Sequence, residues 1–147
     1  MIIIGGSAVS FDVILSILNG LYRHMSVPIV IISHRLKNAK SSFDGVLQKH
    51  THYIVKEIED KEIIKNGKLH AVPSNYHLLL ETNNSFSLDV SELVNYSRPS
   101  IDVSFESFST VVKENAAAYY LSRSNNDGSN GLKYIAENKG IGIITRL

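Results

Sequence analysis

The chain has 147 residues, of which 44% are hydrophobic and 20% charged, and these proportions exclude disordered, collagen-like and low-complexity proteins. Fifteen basic and fourteen acidic side chains leave a formal net charge of +1, which gives no electrostatic reason to expect a nucleic-acid partner or an anionic membrane. The chain contains no cysteine, so disulfides and cysteine nucleophiles are excluded, and no apolar run approaches the roughly 18–20 residues of a membrane span. We therefore expect one cytoplasmic domain that does not insert into membranes.

Short apolar runs alternate with helical segments along most of the chain. Four short apolar runs, three of them rich in β-branched residues, show no polar alternation, which predicts strands buried on both faces of a sheet. Between them, apolar residues recur at helical spacing, which predicts amphipathic helices. The strands are expected at residues 1–4, 29–33, 117–121 and 141–145, and the helices at about 11–22, 41–50, 99–112 and 128–138. This alternation predicts right-handed crossovers and a mostly parallel sheet.

The middle of the chain shows a different pattern. Segments 68–72, 77–81 and 85–88 are short, and turn residues separate them at Pro73-Ser74-Asn75 and Asn83-Asn84. This pattern predicts an antiparallel meander. The predicted fold class is therefore α/β, with a doubly wound, mostly parallel sheet and an antiparallel β-hairpin insertion. In such folds the functional site lies at the carboxyl ends of the parallel strands.

The first predicted strand ends in Gly5-Gly6-Ser7-Ala8, where a tight turn would expose a hydroxyl at the start of a helix. Three interpretations remain open. A dinucleotide-binding loop would require glycine at the positions of Ser7 and Ser10. In the second interpretation Ser7 is a nucleophile, although the α/β-hydrolase motif would require glycine in place of Val9. In the third, Ser7 is simply the cap of the following helix.

Two further polar residues follow predicted strands. His34 comes directly after the second strand, and Asp127 follows the strand that ends near residue 121. Alone, His34 is as typical of a loop as of a catalytic base, and Asp127 is a candidate cap for the next helix. Together with Ser7 they predict a nucleophile, a base and an orienting carboxylate at one sheet edge.

Five sequence blocks in a fixed order carry a resemblance to a known family. Together they resemble, nearly collinearly over residues 1–147, the catalytic domain of the chemotaxis receptor methylesterases, the CheB family. Each block alone is common, whereas the ordered set is specific. The blocks are Gly5-Gly6-Ser7-Ala8, Ile32-Ser33-His34, Gly67-Lys68-Leu69-His70-Ala71-Val72-Pro73, Asn95 with Arg98-Pro99-Ser100-Ile101-Asp102-Val103, and Asp127-Gly128 with Gly131-Leu132.

The resemblance implies hydrolysis of glutamyl methyl esters, with glutamine deamidation as a related reaction. Ser7 would be the nucleophile, His34 the general base and Asp127 the orienting carboxylate. It implies no metal and no cofactor, and the partner would be the cytoplasmic domain of a methylated chemoreceptor. Oxyanion or substrate-lining positions would be Gly6, Ala8, Arg98 and Ser124.

Departures from the family pattern predict weak or absent activity. Val9 and Ser10 replace two family glycines, and Arg123-Ser124-Asn125 replaces a Gly-Met-Gly loop. A β-branched residue such as Val9 cannot adopt the positive φ that glycine adopts freely, so the oxyanion amides would be misplaced. The alternative function is a degenerate relative that binds a receptor or another partner without turnover.

The resemblance implies a sheet that continues beyond the position of Leu147 and a receiver domain that usually lies upstream, and we expect residues 1–147 to comprise the catalytic domain alone. An exposed sheet edge there would favour self-association. Elsewhere, His50 and His52 are expected to be exposed loop histidines rather than a metal pair. His77 is expected to pack in the hairpin, and Asp102 to stabilise the first turn of its own helix.

Overall fold

Six parallel strands form one sheet, and a two-stranded antiparallel hairpin accompanies it. The computed structural model describes residues 1–7, 10–21, 25–34, 43–122 and 126–146. The strands are β1 (Ile2–Ser7), β2 (Ile29–His34), β3 (Ile54–Glu57), β4 (Lys68–Ala71), β5 (His77–Leu80), β6 (Phe86–Asp89), β7 (Ala117–Ser122) and β8 (Ile141–Arg146). The α-helices are α1 (Phe11–Gly20), α2 (Phe43–Gln48), α3 (Ile101–Val112) and α4 (Ser129–Glu137). Among the described residues, none of these helices has the length and apolar content needed to cross a bilayer.

The sheet has the order β3-β4-β2-β1-β7-β8, so the chain leaves β1 first toward one edge and later toward the other. One face of the sheet packs against Ile14 and Leu18 of α1. The opposite face packs against α3, α4 and the hairpin, through residues such as Phe105, Ile135 and Phe86. Helices on both faces confirm the predicted doubly wound fold, and the reversal of strand order at β1 is where such folds bind ligands.

The predicted antiparallel meander is partly wrong. Only β5 and β6 pair antiparallel, whereas β4 runs parallel between β2 and β3 in the main sheet. Leu69 and Ala71 are fully buried, as is expected of a strand with neighbours on both sides. Sequence analysis missed β3 because this edge strand is short and carries charged Lys56 and Glu57 instead of an apolar run.

The ends of the predicted helices differ slightly from the observed ones. The first helix was predicted to reach residue 22, but α1 ends at Gly20, and residue 22 lies outside the described residues. The predicted start of the second helix, at residues 41 and 42, also lies outside them, and α2 is observed at Phe43–Gln48. Residues 141–145 form β8 as predicted, but the predicted burial on both faces is wrong for this strand. It is an outer strand of the sheet, and Ile141, Ile143 and Ile144 are exposed. Self-association through it stays a prediction.

A close contact between β1 and α3 fixes the position of the α3 N-terminus. A Cβ atom placed on Gly5 would lie only 2.6 Å from Cγ2 of Ile101, the first residue of α3. Only glycine allows this approach, since real Cβ atoms do not come so near to another carbon. The amides at the start of α3 are therefore held close to the carboxyl end of β1.

His70 is a buried titratable group within the sheet core. Its Nδ1 lies 3.2 Å from the Ile29 carbonyl oxygen, and its Nε2 has no hydrogen-bond partner among the described residues. Burial lowers the pKa of His70, although the bond to Ile29 opposes the shift. The folded state therefore keeps the imidazole neutral at pH values where the unfolded chain binds a proton.

Replacing His70 should change how stability depends on pH. Because its folded pKa is depressed, its contribution is complete above the unfolded value of about 6.5 and is lost as pH falls toward the folded value, by at most about 1.4 kcal/mol per pH unit. In urea titrations the free energy of unfolding of His70→Leu should fall less steeply below about pH 6.5 than that of the parent chain. His50→Leu, at an exposed histidine, is the matched control. An unchanged slope in His70→Leu would show that His70 is not the linked group.

Candidate active site

Ser7 and His34 stand side by side at the carboxyl ends of two neighbouring strands. They are register partners in the parallel pair of β1 and β2, so their backbones are about 4.8 Å apart. Register partners point to the same face, and alternate residues along a strand share a face. Ile3 and Ile32 belong to the core on the α3 side, and Ser7 and His34 therefore face the N-terminus of α3.

The Ser7 hydroxyl is partly exposed and sits beside a second serine. Its Oγ lies 3.4 Å from Oγ of Ser10, a fully buried residue that precedes α1 and makes no side-chain cap bond. No hydrogen bond joins Ser7 and His34, both of which are described. Catalytic hydrogen bonds are often long before substrate binds, so a short Ser7–His34 contact stays a prediction for the substrate complex.

His34 and Asp127 form a short contact. His34 Nε2 lies 2.7 Å from Asp127 Oδ2, and the side chains are 17% and 0% exposed. An ionised carboxylate only accepts hydrogen bonds, so Nε2 of His34 carries the hydrogen. The remaining ring nitrogen, Nδ1, is therefore the basic atom available to take a proton.

Asp127 is surrounded by donors at the start of α3. Its Oδ1 accepts from Oγ of Ser100 at 2.7 Å and from the Asp102 amide at 3.1 Å, and its Oδ2 accepts from the Ile101 amide at 2.6 Å. Nδ2 of Asn95 donates to Oδ1 at 2.9 Å. Burial alone would raise the pKa of Asp127, but the bonds from His34, Asn95, Ser100 and Ile101 outweigh it and hold that pKa below its ordinary value. Asp127 therefore remains an anion beside His34, at the positive end of a helix.

Two carboxylates make contacts that their sequence neighbourhood does not predict. The prediction that Asp127 caps α4 is wrong, because the N-cap is Gly128 and Asp127 accepts from the Ile101 amide of α3, 26 residues away. Asp102 lies in the first turn of α3 as expected, and it also accepts from the amides of Gly128 at 3.0 Å and Gly131 at 2.6 Å. These reciprocal hydrogen bonds join the start of α3 to the segment that carries Asp127.

The other predicted site residues have different surroundings. Gly6 packs on the opposite face of β1, where an added Cβ would lie 3.2 Å from Leu121 and Ser10. The Arg98 guanidinium donates to Oδ1 of Asn75 and to the carbonyls of Val90 and Ser91, so it holds the 90–97 loop. A substrate contact of Arg98 stays a prediction. Five residues of the expected oxyanion region lie outside the described residues: Ala8, Val9, Arg123, Ser124 and Asn125.

His77 links the hairpin to the site, as expected of a packing residue. It is buried, its Nε2 donates to the Glu92 carbonyl at 2.8 Å, and its Nδ1 accepts from the Ser100 amide at 3.1 Å. Within the described parts of the chain, no group of three or more histidine, aspartate or glutamate side chains is placed to hold a metal ion. His50 and His52 are both exposed.

A cleft of about 410 Å³ opens behind the Asn95–Asp102 contact. Residues of α3 and α4 line most of it, including Glu106, Lys133 and Tyr134. Ser7, His34 and Asp127 do not line it, so the cleft is separate from the place where the three side chains meet.

Sequence reasoning missed Asn95 and Ser100 as partners of Asp127. Both occur in the block around Arg98-Pro99-Ser100, so the resemblance marked the segment without giving these roles. Their contacts with Asp127 join positions 32 and 27 residues apart, which no local pattern predicts.

Comparison with known proteins identifies the family and the fold of the chain. The family model described as CheB methylesterase matches residues 2–146. A putative protein-glutamate methylesterase/protein-glutamine glutaminase of Leptospira interrogans is 40% identical over 143 residues, which cover 97% of this chain and 74% of that protein. A protein-glutamate methylesterase/protein-glutamine glutaminase of Clostridium acetobutylicum is 26% identical, with 97% of this chain and 41% of the relative covered. The crystal structure of the Thermotoga maritima CheB methylesterase catalytic domain superposes with a TM-score of 0.89 at 27% identity, covering 96% of this chain and 76% of that one. Since the family match spans nearly the whole sequence and the fold agrees, the chain belongs to the CheB methylesterase family.

Proposed function

We propose that this chain is a serine hydrolase that removes methyl groups from glutamyl methyl esters on the cytoplasmic domain of methylated chemoreceptors. Residues 1–147 would form its catalytic domain, acting in the cytoplasm. The observation that carries the proposal is the 2.7 Å contact between His34 and a buried Asp127, next to Ser7 at the carboxyl edge of the sheet. The names of the Leptospira and Clostridium relatives support the substrate class.

The reaction would proceed through a covalent acyl-enzyme. Ser7 Oγ attacks the ester carbonyl carbon while Nδ1 of His34 accepts the hydroxyl proton. That proton then passes to the methoxy group, which leaves as methanol. Water, deprotonated by His34, attacks the acyl carbon and releases the glutamate carboxylate and the Ser7 hydroxyl. Asp127 keeps the ring in the required tautomer and stabilises the imidazolium.

The same acyl transfer applies to a glutamine side chain, with ammonia leaving in place of methanol. The glutaminase in the relatives' names supports this second substrate. Helix α1 begins shortly after Ser7, so its positive end favours the oxyanion that forms on the substrate carbonyl. We propose that the backbone amides of Ala8 and Ser124 donate hydrogen bonds to this oxyanion.

Methanol release from a methylated chemoreceptor cytoplasmic fragment tests the function. The parent chain should release methanol in proportion to enzyme concentration, and the Thermotoga catalytic domain provides the reference rate. Binding to the receptor fragment without any release of methanol would instead favour the non-catalytic binding module. The position of Ser10 supports that alternative, because its hydroxyl lies 3.4 Å from the proposed nucleophile at a position where the family has glycine.

Restoring the family glycines should raise the rate. The variant combines Val9→Gly and Ser10→Gly with Arg123→Gly, Ser124→Met and Asn125→Gly. Preorganised oxyanion donors are worth about 10²–10³ in kcat, so we expect a gain of at least about tenfold at an equal folded fraction. The same changes with Ser7→Ala are the control. A native rate equal to that of the Thermotoga domain, or no gain on restoration, would contradict the argument from lost glycines.

A further inference from the structure

Asn95 connects two carboxylates beside the proposed active site. Its Nδ2 lies 2.8 Å from Oδ2 of Asp102 and 2.9 Å from Oδ1 of Asp127. A side-chain amide carries two hydrogens on one nitrogen, so Asn95 donates one hydrogen to each carboxylate. Asp127 is 1% exposed and Asp102 is 9% exposed, and an unbridged pair of anions in such surroundings would repel strongly.

The backbone around Asn95 fixes this amide in place. Val94 and Ser97 exchange both backbone hydrogen bonds, at 3.1 and 2.9 Å, so Asn95 and Tyr96 form the centre of a two-residue turn. Both have positive φ, 51° and 62°, as in a type I′ turn, and asparagine tolerates this conformation well. Arg98 holds the preceding part of the loop through the Val90 and Ser91 carbonyls.

Other charged or titratable groups also face Asp127. His34 of β2 donates to Oδ2, and Asp102 of α3 approaches from the Asn95 side. Tyr120 of β7 packs against Gly128, the residue that follows Asp127. Among these groups, Asp102 contributes the like charge, and Asn95 is the side chain that donates to both anions.

We propose that Asn95 is a positioning residue that keeps Asp127 ionised beside the Asp102 carboxyl group, and so sets the pH below which His34 loses its anionic partner. The effect on hydrolysis rests on the function proposed above, whereas the effect on the carboxylates does not. Asp102 in turn holds the amides of Gly128 and Gly131, so the same bridge fixes the backbone next to Asp127.

Asn95→Asp is the sharpest test, because it preserves size and tolerance of positive φ while replacing the donor with a third carboxylate. At least one of the three carboxyl groups must then bind a proton more readily. Asn84→Asp is the matched control: Asn84 is also exposed, sits in a turn with φ 64°, and lies in the loop between β5 and β6. Asn95→Gly removes the donor without adding charge, and glycine tolerates the same positive φ. This variant is the alternative test if Asn95→Asp folds poorly.

Carboxyl-carbon NMR titration reads the result without any assay of activity. In Asn95→Asp the Asp127 signal should titrate about one pH unit or more above its value in the parent chain. Asn95→Gly should shift it in the same direction by less, and Asn84→Asp should leave it unchanged. An unchanged Asp127 midpoint in both Asn95 variants would overturn the proposal.

Kinetics then connects the bridge to function. In Asn95→Gly, kcat should fall roughly tenfold at neutral pH while KM stays nearly constant, because Asp127 no longer holds His34 as firmly. A lower melting temperature with an unchanged kcat would mean that Asn95 is only structural, and would overturn the proposal. If the parent chain hydrolyses nothing while the NMR shift appears, the role of Asn95 is supported and the proposed function fails.

Discussion

Ser7→Ala should reduce methanol release from methylated receptor by at least about 10³-fold and leave the fold intact. The change removes the proposed nucleophilic atom, so the remaining rate should reflect binding and oxyanion stabilisation alone. Ser7 is partly exposed, and among the described residues its hydroxyl contacts Ser10 alone, at 3.4 Å, so little stability should be lost. Circular dichroism and melting temperature should match those of the parent chain.

Ser16→Ala is the matched control for this variant. Ser16 is an exposed serine of α1 whose hydroxyl bonds only to the Asp12 carbonyl, and its removal should leave the rate within about twofold. A Ser7→Ala variant that keeps more than about a tenth of the parent rate would mean that another group attacks the ester.

Asp127→Asn should affect both rate and stability. Without the anion, His34 is no longer held in the tautomer that carries its hydrogen on Nε2. In a serine hydrolase of the chymotrypsin type the corresponding change lowers kcat about 10⁴-fold, so we expect kcat to fall about 10³–10⁴-fold here. Asparagine has one side-chain oxygen that accepts hydrogen bonds, whereas aspartate has two. The NH₂ group of the variant would therefore face donors that bind a carboxylate oxygen in the parent chain. The stability loss at neutral pH should be roughly 2–4 kcal/mol.

The stability difference should depend on pH in a defined direction. The folded pKa of Asp127 is depressed, so its contribution is complete above the unfolded value of about 3.9 and is lost as pH falls toward the folded value. The parent and Asp127→Asn should therefore converge in unfolding free energy in strong acid. Asp12→Asn, an exposed carboxylate in the first turn of α1, is the control and should cost about 0.5 kcal/mol or less. Equal stability of Asp127→Asn and the parent at neutral pH would contradict the observed donor network.

The elements that sequence analysis predicted well are those with strong local patterns. Uninterrupted apolar runs identified β1, β2, β7 and β8. Burial explains the runs of the inner strands β1 and β2, which need no polar residues, whereas β8 carries the same pattern on the exposed edge of the sheet. The placement of β4 failed because turn residues on one side of a strand do not reveal which partner it pairs with. The antiparallel pairing of β5 with β6 followed from the Asn83-Asn84 turn between them.

The site was predictable only in part for a similar reason. Ser7 and His34 each end a strand, and parallel pairing brings such ends together, so topology alone places them side by side. The partners of Asp127 depend instead on the docking of α3 against β1, which requires the close approach at Gly5. Side-chain contacts such as that of Asn95 arise from this packing and leave no periodic trace in the sequence.

Covalent labelling with a fluorophosphonate, followed by peptide mass spectrometry, tests most directly whether Ser7 is a nucleophile activated by His34 and Asp127. The parent chain should carry one phosphonyl group, located on the peptide that contains Ser7. His34→Ala should label at least about 10²-fold more slowly, because no base takes the serine proton, and Ser7→Ala should not label at that peptide. No adduct on Ser7 in the folded parent chain, or an equal rate of labelling in His34→Ala, would contradict the account.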